Sequence, residues 1–154
     1  MDKLRERLRQ SKPFEKDAER VFLTIQLVAG DHSAAIERVF CASDLTATQY
    51  NVLRILRGAK SDGLSCREIG ERMITRDPDI TRMLDRLEGR DLIRRERQET
   101  DRRVIRAFIT QKGLDLLKEL DRPIAGTTDE LFAGVSKSEL ATLSRLLAKM
   151  LRTE

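Results

Sequence analysis

The chain has 154 residues, of which 40% are hydrophobic and 36% charged, and its formal net charge is +4. This length suits one domain with a real core, and the low aromatic content of 4% without tryptophan argues against carbohydrate-binding or aromatic-stacking proteins. No apolar run approaches the roughly 20 residues that cross a bilayer, and the charged amino terminus lacks a signal-peptide core, so we expect a cytoplasmic protein.

Two cysteines and one histidine restrict the cofactor chemistry. Cys41 and Cys66 are too few for a disulfide framework, and His32 alone cannot anchor a usual zinc site, so we expect no metal and no other cofactor. No phosphate-binding glycine loop and no activated nucleophile accompany His32, and we therefore do not expect an enzyme. Whether either cysteine is redox-active stays open.

The first predicted element is a long helix within residues 11–42, with Pro13 in its first turn. Small or apolar residues alternate in spacings of four and three, with His32 in the remaining position: Phe14, Ala18, Val21, Ile25, Val28, Ala35 and Val39. Further apolar residues widen this face, which indicates a partner subunit. We interpret His32 as a packed interface histidine, in preference to a ligand or pH contact.

Two shorter helices follow. Residues 46–57 are predicted to form the first, which Gly58 ends. Ser65 begins the second through a capping box with Glu68, and Gly70 lets another helix approach closely.

The next helix is predicted to begin with Asp77 as its N-cap and Pro78 in its first position. Its apolar residues point into the core, and Arg82 and Arg86 project together from the outer face because they are four residues apart. An arginine fork can bond guanine O6 and N7 in the major groove of a duplex. The alternative is that both arginines merely pair with Asp79 and Asp85 on a solvated face of the helix.

Two β-prone runs, residues 92–97 and 104–109, are joined by a polar loop suited to a turn. Between Arg94 and Arg106 six arginines face three acidic residues, which gives a local charge of +3. Because a two-stranded ribbon is marginal alone, it must lean on the preceding helices. The arrangement predicts a winged helix-turn-helix over residues 46–109, in a mainly α fold with a small β-hairpin wing (α+β).

Two more helices are predicted in residues 110–154. One starts near Thr110, and Pro123 either kinks it or ends its first part. The other starts at the capping box of Ser136 and Glu139. It carries an apolar stripe of Leu140, Leu143, Leu147 and Met150. Since both ends of the chain are apolar on one face, we expect residues 11–42 and 110–154 to form one helical dimerisation region.

At three places the chain resembles the MarR-type transcriptional regulators of bacteria and archaea. The matching stretches are Leu45-Thr46-x-x-Gln49-Tyr50-x-Val52-Leu53, Ile80-Thr81-Arg82-Met83-Leu84-Asp85-Arg86-Leu87-Glu88 and Asp101-x-Arg103-x5-Ile109-Thr110-x-x-Gly113. The resemblance covers most of the chain, implies a single MarR-like domain over residues 1–154 and is most specific in the wing. It implies that Arg103 enters the minor groove, with Asp101 holding its side chain, and that the protein is an obligate dimer.

The chain departs from the family pattern in two places. Asp91 stands where relatives usually have a glycine at the end of the recognition helix, although aspartate tolerates the left-handed conformation better than most residues. Asp77 and Asp79 make the entry to that helix unusually acidic. The operator preference therefore cannot be transferred from the family.

Together these features predict a homodimeric regulator of transcription that binds a pseudo-palindromic operator in double-stranded DNA. We assign contacts in or beside the major groove to Arg76, Thr81, Arg82 and Arg86, and contacts near phosphates to Arg95, Arg97 and Arg102. The resemblance further implies a ligand-responsive repressor with a small aromatic or phenolic effector, whose pocket is not visible in the sequence. The alternative is a winged-helix protein-interaction module that does not read DNA, although such a module would not need these arginines.

Overall fold

The computed structural model describes residues 3–75, 79–98 and 104–151. In these ranges the helices are α1 (Lys3–Leu8), α2 (Asp17–Cys41), α3 (Ala47–Ala59), α4 (Cys66–Arg72), α5 (Ile80–Gly89), α6 (Gln111–Leu131) and α7 (Lys137–Ala148). The strands are β1 (Leu64–Ser65), β2 (Ile93–Arg97) and β3 (Ile105–Ile109), and a 3₁₀ turn covers Lys60–Asp62. The predicted class, mainly helical with a small sheet, is confirmed.

The hydrophobic core lies where α3, α5 and α6 meet the end of α2. Phe40 lies in the last turn of α2, and its ring packs against Tyr50 of α3 with 4.7 Å between the ring centroids. Fully buried leucines from three helices fill the space: Leu53, Leu56, Leu84, Leu87 and Leu117. The amino-terminal half of α2 and all of α7 lie outside this core, so they contribute little buried surface within one chain.

Capping boxes begin three of the helices, and each satisfies backbone N–H groups that a helix start leaves without a partner. The pairs are Thr46 with Gln49, Ser65 with Glu68 and Ser136 with Glu139. The second and third were predicted. Thr46 was placed inside its helix by the sequence analysis, whereas its extended backbone makes it the N-cap.

Two helix boundaries differ from the predictions. Helix α2 begins at Asp17 rather than near Pro13, because acidic residues in its first turn complement the helix dipole. Gly58 does not end α3; core contacts carry the helix to Ala59, and the chain turns at Lys60 with φ of 52°. A short helix at Lys3–Leu8 was not predicted.

Helix α6 continues past Pro123 to Leu131, so the proline does not end it. Its N-cap is Thr110, whose hydroxyl accepts from the Gly113 N–H at 3.1 Å. The Thr110 hydroxyl also donates to the backbone carbonyl of Asp91 at 2.6 Å. These two bonds fix the start of α6 against the segment that enters β2.

The predicted hairpin forms and gains a third strand. Strands β2 and β3 pair antiparallel with Arg95 opposite Ala107, and β1 adds to the free side of β3 with Leu64 opposite the same alanine. A strand of two residues carries no readable alternation, which is why the sequence did not reveal β1. Alternation along β2 places Ile93, Arg95 and Arg97 on one face and Arg94 on the other.

No helix in the three described ranges is long and apolar enough to cross a membrane. The same ranges contain no group of three or more histidine, cysteine or carboxylate side chains placed to hold a metal ion. Cys41 is exposed and Cys66 is half-buried, and both are free thiols.

Candidate nucleic-acid interface

Helix α5 corresponds to the predicted recognition helix, but it starts later than expected. Asp79 is its N-cap, and the Asp79 carboxylate accepts from the Arg82 N–H at 3.4 Å. The predicted start, with Asp77 as cap and Pro78 in the first turn, is therefore wrong. Both residues lie outside the described ranges.

The two faces of α5 are as predicted. Met83, Leu84 and Leu87 are buried against the core. Thr81 and Arg86 are exposed, and Arg82 is exposed on the same side as Arg86. The core contacts therefore hold a helix that turns a polar, cationic surface to solvent.

The two arginines of α5 differ in their surroundings. The Arg82 Nε lies 3.3 Å from an Asp79 carboxylate oxygen, although the Arg82 side chain is 78% exposed. Arg86 makes no hydrogen bond or ion pair with a residue in the described ranges. Arg86 can therefore bind an external anion without first losing a partner in that part of the chain.

The carboxyl end of α5 is held by a residue whose role the sequence did not show. Arg90 donates from Nη2 to the carbonyl of Ser43 at 2.9 Å and from Nη1 to the carbonyl of Asp44. The next residue, Asp91, has φ of 59°, so aspartate adopts the left-handed conformation that favours glycine. Arg90 thus ties the end of the recognition helix to the turn between α2 and α3.

Arg95 connects the wing to the recognition helix. Its Nε donates to Glu88 at 2.8 Å, its Nη2 donates to the same carboxylate at 2.5 Å, and its backbone N–H donates to the other Glu88 oxygen at 3.0 Å. The Nη2 also lies 2.7 Å from Asp85. The phosphate contact predicted for Arg95 is untested, but its guanidinium is directed toward α5.

These bonds shift the ionisation of both partners. Hydrogen bonds from Arg95 lower the pKa of the Glu88 carboxyl, and the bonds to Glu88 raise the pKa of Arg95. Since the pKa of Glu88 is depressed in the folded protein, its stabilising effect is present above the unfolded pKa and is lost as the pH falls through the folded value.

We expect Glu88→Gln to lower the free energy of unfolding at pH 7 by about 1 kcal/mol or less, because Glu88 is partly exposed. The difference from the wild type should shrink below the ordinary carboxyl pKa and vanish in stronger acid, where the Glu88 carboxyl of the wild type is also protonated. Urea unfolding at several pH values measures this. A difference that stays constant with pH would contradict the assignment.

The other described arginines of the hairpin have different environments. Arg94 lies over the Phe108 ring, 4.5 Å from its centroid, and is paired with Glu96. Arg106 donates to the carbonyl of Asp62 at 2.9 Å and to that of Gly63 at 3.0 Å. Arg97 is exposed and has no such partner among the described residues.

The remaining predicted contacts cannot be located. Arg76, Asp101, Arg102 and Arg103 fall outside the described ranges. The assignment of Arg103 to the minor groove, with Asp101 as its support, therefore stays a prediction, as do the assignments of Arg76 and Arg102.

A groove of about 260 Å³ separates the start of α3 from the exposed face of α5. Its lining includes Arg82, Arg86 and the hydroxyl-bearing residues Thr46 and Thr48. The sequence analysis did not single out Thr48, because a threonine in the first turn of a helix gives no distinctive signal. The groove extends the polar surface of the recognition helix toward α3.

A second cavity, of about 440 Å³, lies between α2, α3 and the segment that leads into α5. Its lining includes His32 of α2, Asn51 of α3 and Ile74. The His32 ring meets the edge of Phe132 with 5.0 Å between centroids, as a packed histidine would. The Asn51 side-chain oxygen accepts from the Ile74 N–H at 3.0 Å, which joins the cavity wall to the entry of the recognition helix.

The fold and this surface together define the winged helix-turn-helix class of DNA-binding proteins. A short helix and a second helix with exposed arginines stand beside an arginine-bearing hairpin, and the hairpin is braced against the second helix. Major-groove readers of this kind place such a helix against base edges and phosphates.

Comparisons with known proteins agree with this class. Residues 45–105 match the sequence model of the MarR family. The chain is 31% identical over 106 residues to the transcriptional regulator MhqR of Bacillus subtilis, which covers 69% of this chain and 72% of MhqR. The chain therefore belongs to the MarR family and is a DNA-binding transcriptional regulator.

Two solved structures show the same fold. A cysteine-to-serine mutant of MarR from E. coli, in complex with operator DNA, is 23% identical and has a TM-score of 0.80 over 92% of this chain and all of that one. BpsR of Bordetella bronchiseptica is 25% identical, with a TM-score of 0.78 over 93% of this chain and all of BpsR. The BpsR structure addresses regulation of DNA binding by 6-hydroxynicotinic acid.

Proposed function

We propose that two copies of this chain bind a pseudo-palindromic operator in duplex DNA and repress transcription until a small effector releases them. The observation that carries the proposal is α5, whose buried residues fix it to the core while Thr81, Arg82 and Arg86 stay exposed. The proposal assigns no catalytic step to the chain and places it in the cytoplasm, where the DNA of bacteria and archaea lies.

In this proposal different residues serve the two grooves and the backbone. Thr81, Arg82, Arg86 and Arg76 work in or beside the major groove, where arginine can bond guanine at two atoms. Arg103, supported by Asp101, enters the minor groove, and Arg97 and Arg102 lie near phosphates. Residues 46–109 form the DNA-binding lobe, and residues 11–42 and 110–154 form the dimerisation region.

The dimer is supported by apolar surface that one chain leaves uncovered. Helix α7 has no buried residue, and even its leucines are exposed: Leu143 by 42% and Leu146 by 47%. Phe22 of α2 is 59% exposed. A helix of this length is marginal without packing, and both terminal helices belong to the region by which the family resemblance implies dimerisation. A second copy is the occupant that this resemblance favours.

Introducing a charge on this face should separate the subunits. We expect Leu143→Glu to raise the dimer dissociation constant about 100-fold or more, because the acid would be buried without a partner in both copies. Ala141→Glu, two residues before Leu143 and on the opposite side of α7, is the matched control and should leave the dimer intact. Analytical ultracentrifugation measures both, and an unchanged dimer in Leu143→Glu would contradict this interface.

The effector is assigned to the cavity that includes His32 and Asn51. Its volume suits a small aromatic or phenolic molecule. A ligand that contacts Asn51 would compete with its bond to Ile74 and so change the entry to the recognition helix. A ligand shifts a conformational equilibrium only by the difference between its affinities for the two conformations. The contact with Asn51 would supply that difference, because the ligand would favour the conformation in which the bond between Asn51 and Ile74 is broken.

Filling the cavity should remove the response to effector without removing DNA binding. We expect Ser33→Phe to abolish the thermal shift caused by phenolic acids, because the new ring would occupy the space. A fluorescence melting assay with a panel of hydroxybenzoic acids measures this, and Ser138→Phe on α7 is the control. A retained shift in Ser33→Phe would place the effector elsewhere.

Half-site spacing tests the operator proposal. A two-fold dimer reads two half-sites about one helical turn, roughly 34 Å, apart. Inserting five base pairs between the half-sites puts them on opposite sides of the duplex and should remove most of the affinity. Equal affinity for the operator with and without the insertion would overturn the proposal that a dimer binds both half-sites.

A further inference from the structure

We propose that Arg95, Glu88 and Asp85 form a brace that sets the angle of the wing relative to the recognition helix, and that Arg95 serves DNA binding as a positioning residue rather than as a phosphate contact. The three residues are called the wing brace. This inference rests on the operator binding proposed above.

The strand register places Arg95 where it can reach α5. Residues Ile93, Arg95 and Arg97 share one face of β2. Ile93 and Ala107, the residue of β3 opposite Arg95, are both 2% exposed, so this face of the hairpin packs on the core as far as Arg95. Beyond Arg95 the strand leaves the core, and Arg97 is exposed. Arg95 thus stands at the last point where the wing touches the helix.

Backbone and side chain act together in the wing brace. Glu88 accepts the backbone N–H of Arg95 with one oxygen and the guanidinium with the other. The backbone bond fixes the strand itself, and the two side-chain bonds fix the orientation around it. Asp85, one helical turn before Glu88, accepts from the same guanidinium and stops it from rotating about the Glu88 contact.

Charge argues against a phosphate contact by Arg95. One cation faces two carboxylates, so the wing brace carries a net charge of −1, and it lies on the side of α5 nearest the wing. The Arg95 side chain is only 25% exposed, compared with 78% for Arg82. A phosphate at Arg95 would meet two negative groups within a few ångströms and would have to displace charge-assisted bonds.

The two roles of Arg95 predict opposite effects of Glu88→Gln. If Arg95 contacts phosphate, removal of a nearby acid strengthens binding to every duplex, because repulsion falls. If the wing brace positions the wing, the neutral amide holds Arg95 less firmly and the sequence-specific complex weakens. Non-specific binding, which needs no fixed wing angle, is then unchanged or slightly stronger.

The experiment compares full-length wild type, Glu88→Gln, Arg95→Ala and the control Arg97→Ala. Each is titrated against an inverted-repeat duplex enriched by the wild type from random DNA and against a scrambled duplex, at several salt concentrations. We expect Glu88→Gln and Arg95→Ala each to lower the ratio of specific to non-specific affinity about fivefold or more. The salt slope should stay unchanged in both, whereas Arg97→Ala should reduce it by about one.

Tighter binding of both duplexes by Glu88→Gln, or a salt slope reduced by about one in Arg95→Ala, would overturn the inference that the wing brace positions the wing.

Amide hydrogen exchange of the free protein gives a second test that does not need DNA. Arg95→Ala should speed exchange in β2 and β3 more than Arg97→Ala does, and equal exchange in the two variants would also overturn the inference. If the wild type enriches no inverted repeat, the operator proposal fails, and the exchange result still decides whether the brace exists.

Discussion

Replacing Gly113 by alanine is expected to lower the free energy of unfolding by about 3 kcal/mol. A Cβ on Gly113 would stand 2.3 Å from the backbone carbonyl oxygen of Leu92 and 2.8 Å from a side-chain carbon of Ile109. The Leu92 carbonyl cannot move freely, because it accepts the Thr110 N–H at 3.1 Å. The start of α6 therefore has to separate from the first residues of β2.

Gly126, in the same helix, is the matched control. Apart from its chain neighbours and the backbone of its own helix, no atom lies within 4 Å of a Cβ built there, so Gly126→Ala should raise stability by up to about 1 kcal/mol through helix propensity. Thermal and urea unfolding of both variants at one protein concentration measure the contrast. A Gly113→Ala protein as stable as the wild type would show that α6 does not rest on β2 as described.

Replacing Arg86 by alanine is expected to weaken binding to the selected duplex by about 1 to 3 kcal/mol, roughly fivefold to more than a hundredfold. Arg86 is exposed and has no partner to release in the described part of the chain, whereas Arg82 lies 3.3 Å from the Asp79 carboxylate. The loss should therefore be larger for Arg86→Ala than for Arg82→Ala.

The pattern of losses identifies the contacted atoms. A base contact by Arg86 changes the preferred sequence, while a phosphate contact lowers affinity evenly and reduces the salt slope by about one. Arg122→Ala removes the same charge from an exposed site on α6 and serves as the control. Equal affinities of Arg86→Ala and Arg122→Ala would remove Arg86 from the interface.

The sequence predicted features that depend on local pattern. The capping boxes at Ser65 and Ser136 need only residues three apart, and both are present. The two faces of α5 follow from helical spacing, and the hairpin follows from two β-prone runs around a polar loop. Family motifs added the wing contacts, of which Arg103 still stays a prediction.

Features set by distant contacts could not be predicted. Arg90 bonds carbonyls more than forty positions away, Arg95 reaches back to α5, and Asn51 holds the Ile74 N–H across a separation of 23 residues. Nothing in the local spacing marks these partners, because each depends on how the elements pack. The arginine content of the hairpin also overstated its free positive charge: of the four hairpin arginines that the structure describes, Arg94, Arg95 and Arg106 each pair with a carboxylate.

Selection of bound sequences from random duplex DNA by the purified protein, at two salt concentrations, tests the central claim most directly. We expect enrichment of an inverted repeat whose half-sites lie about one helical turn apart, with affinity that falls steeply as salt rises. Retention of DNA without any preferred sequence, or no retention at low salt, would contradict the account of this chain as an operator-reading dimer.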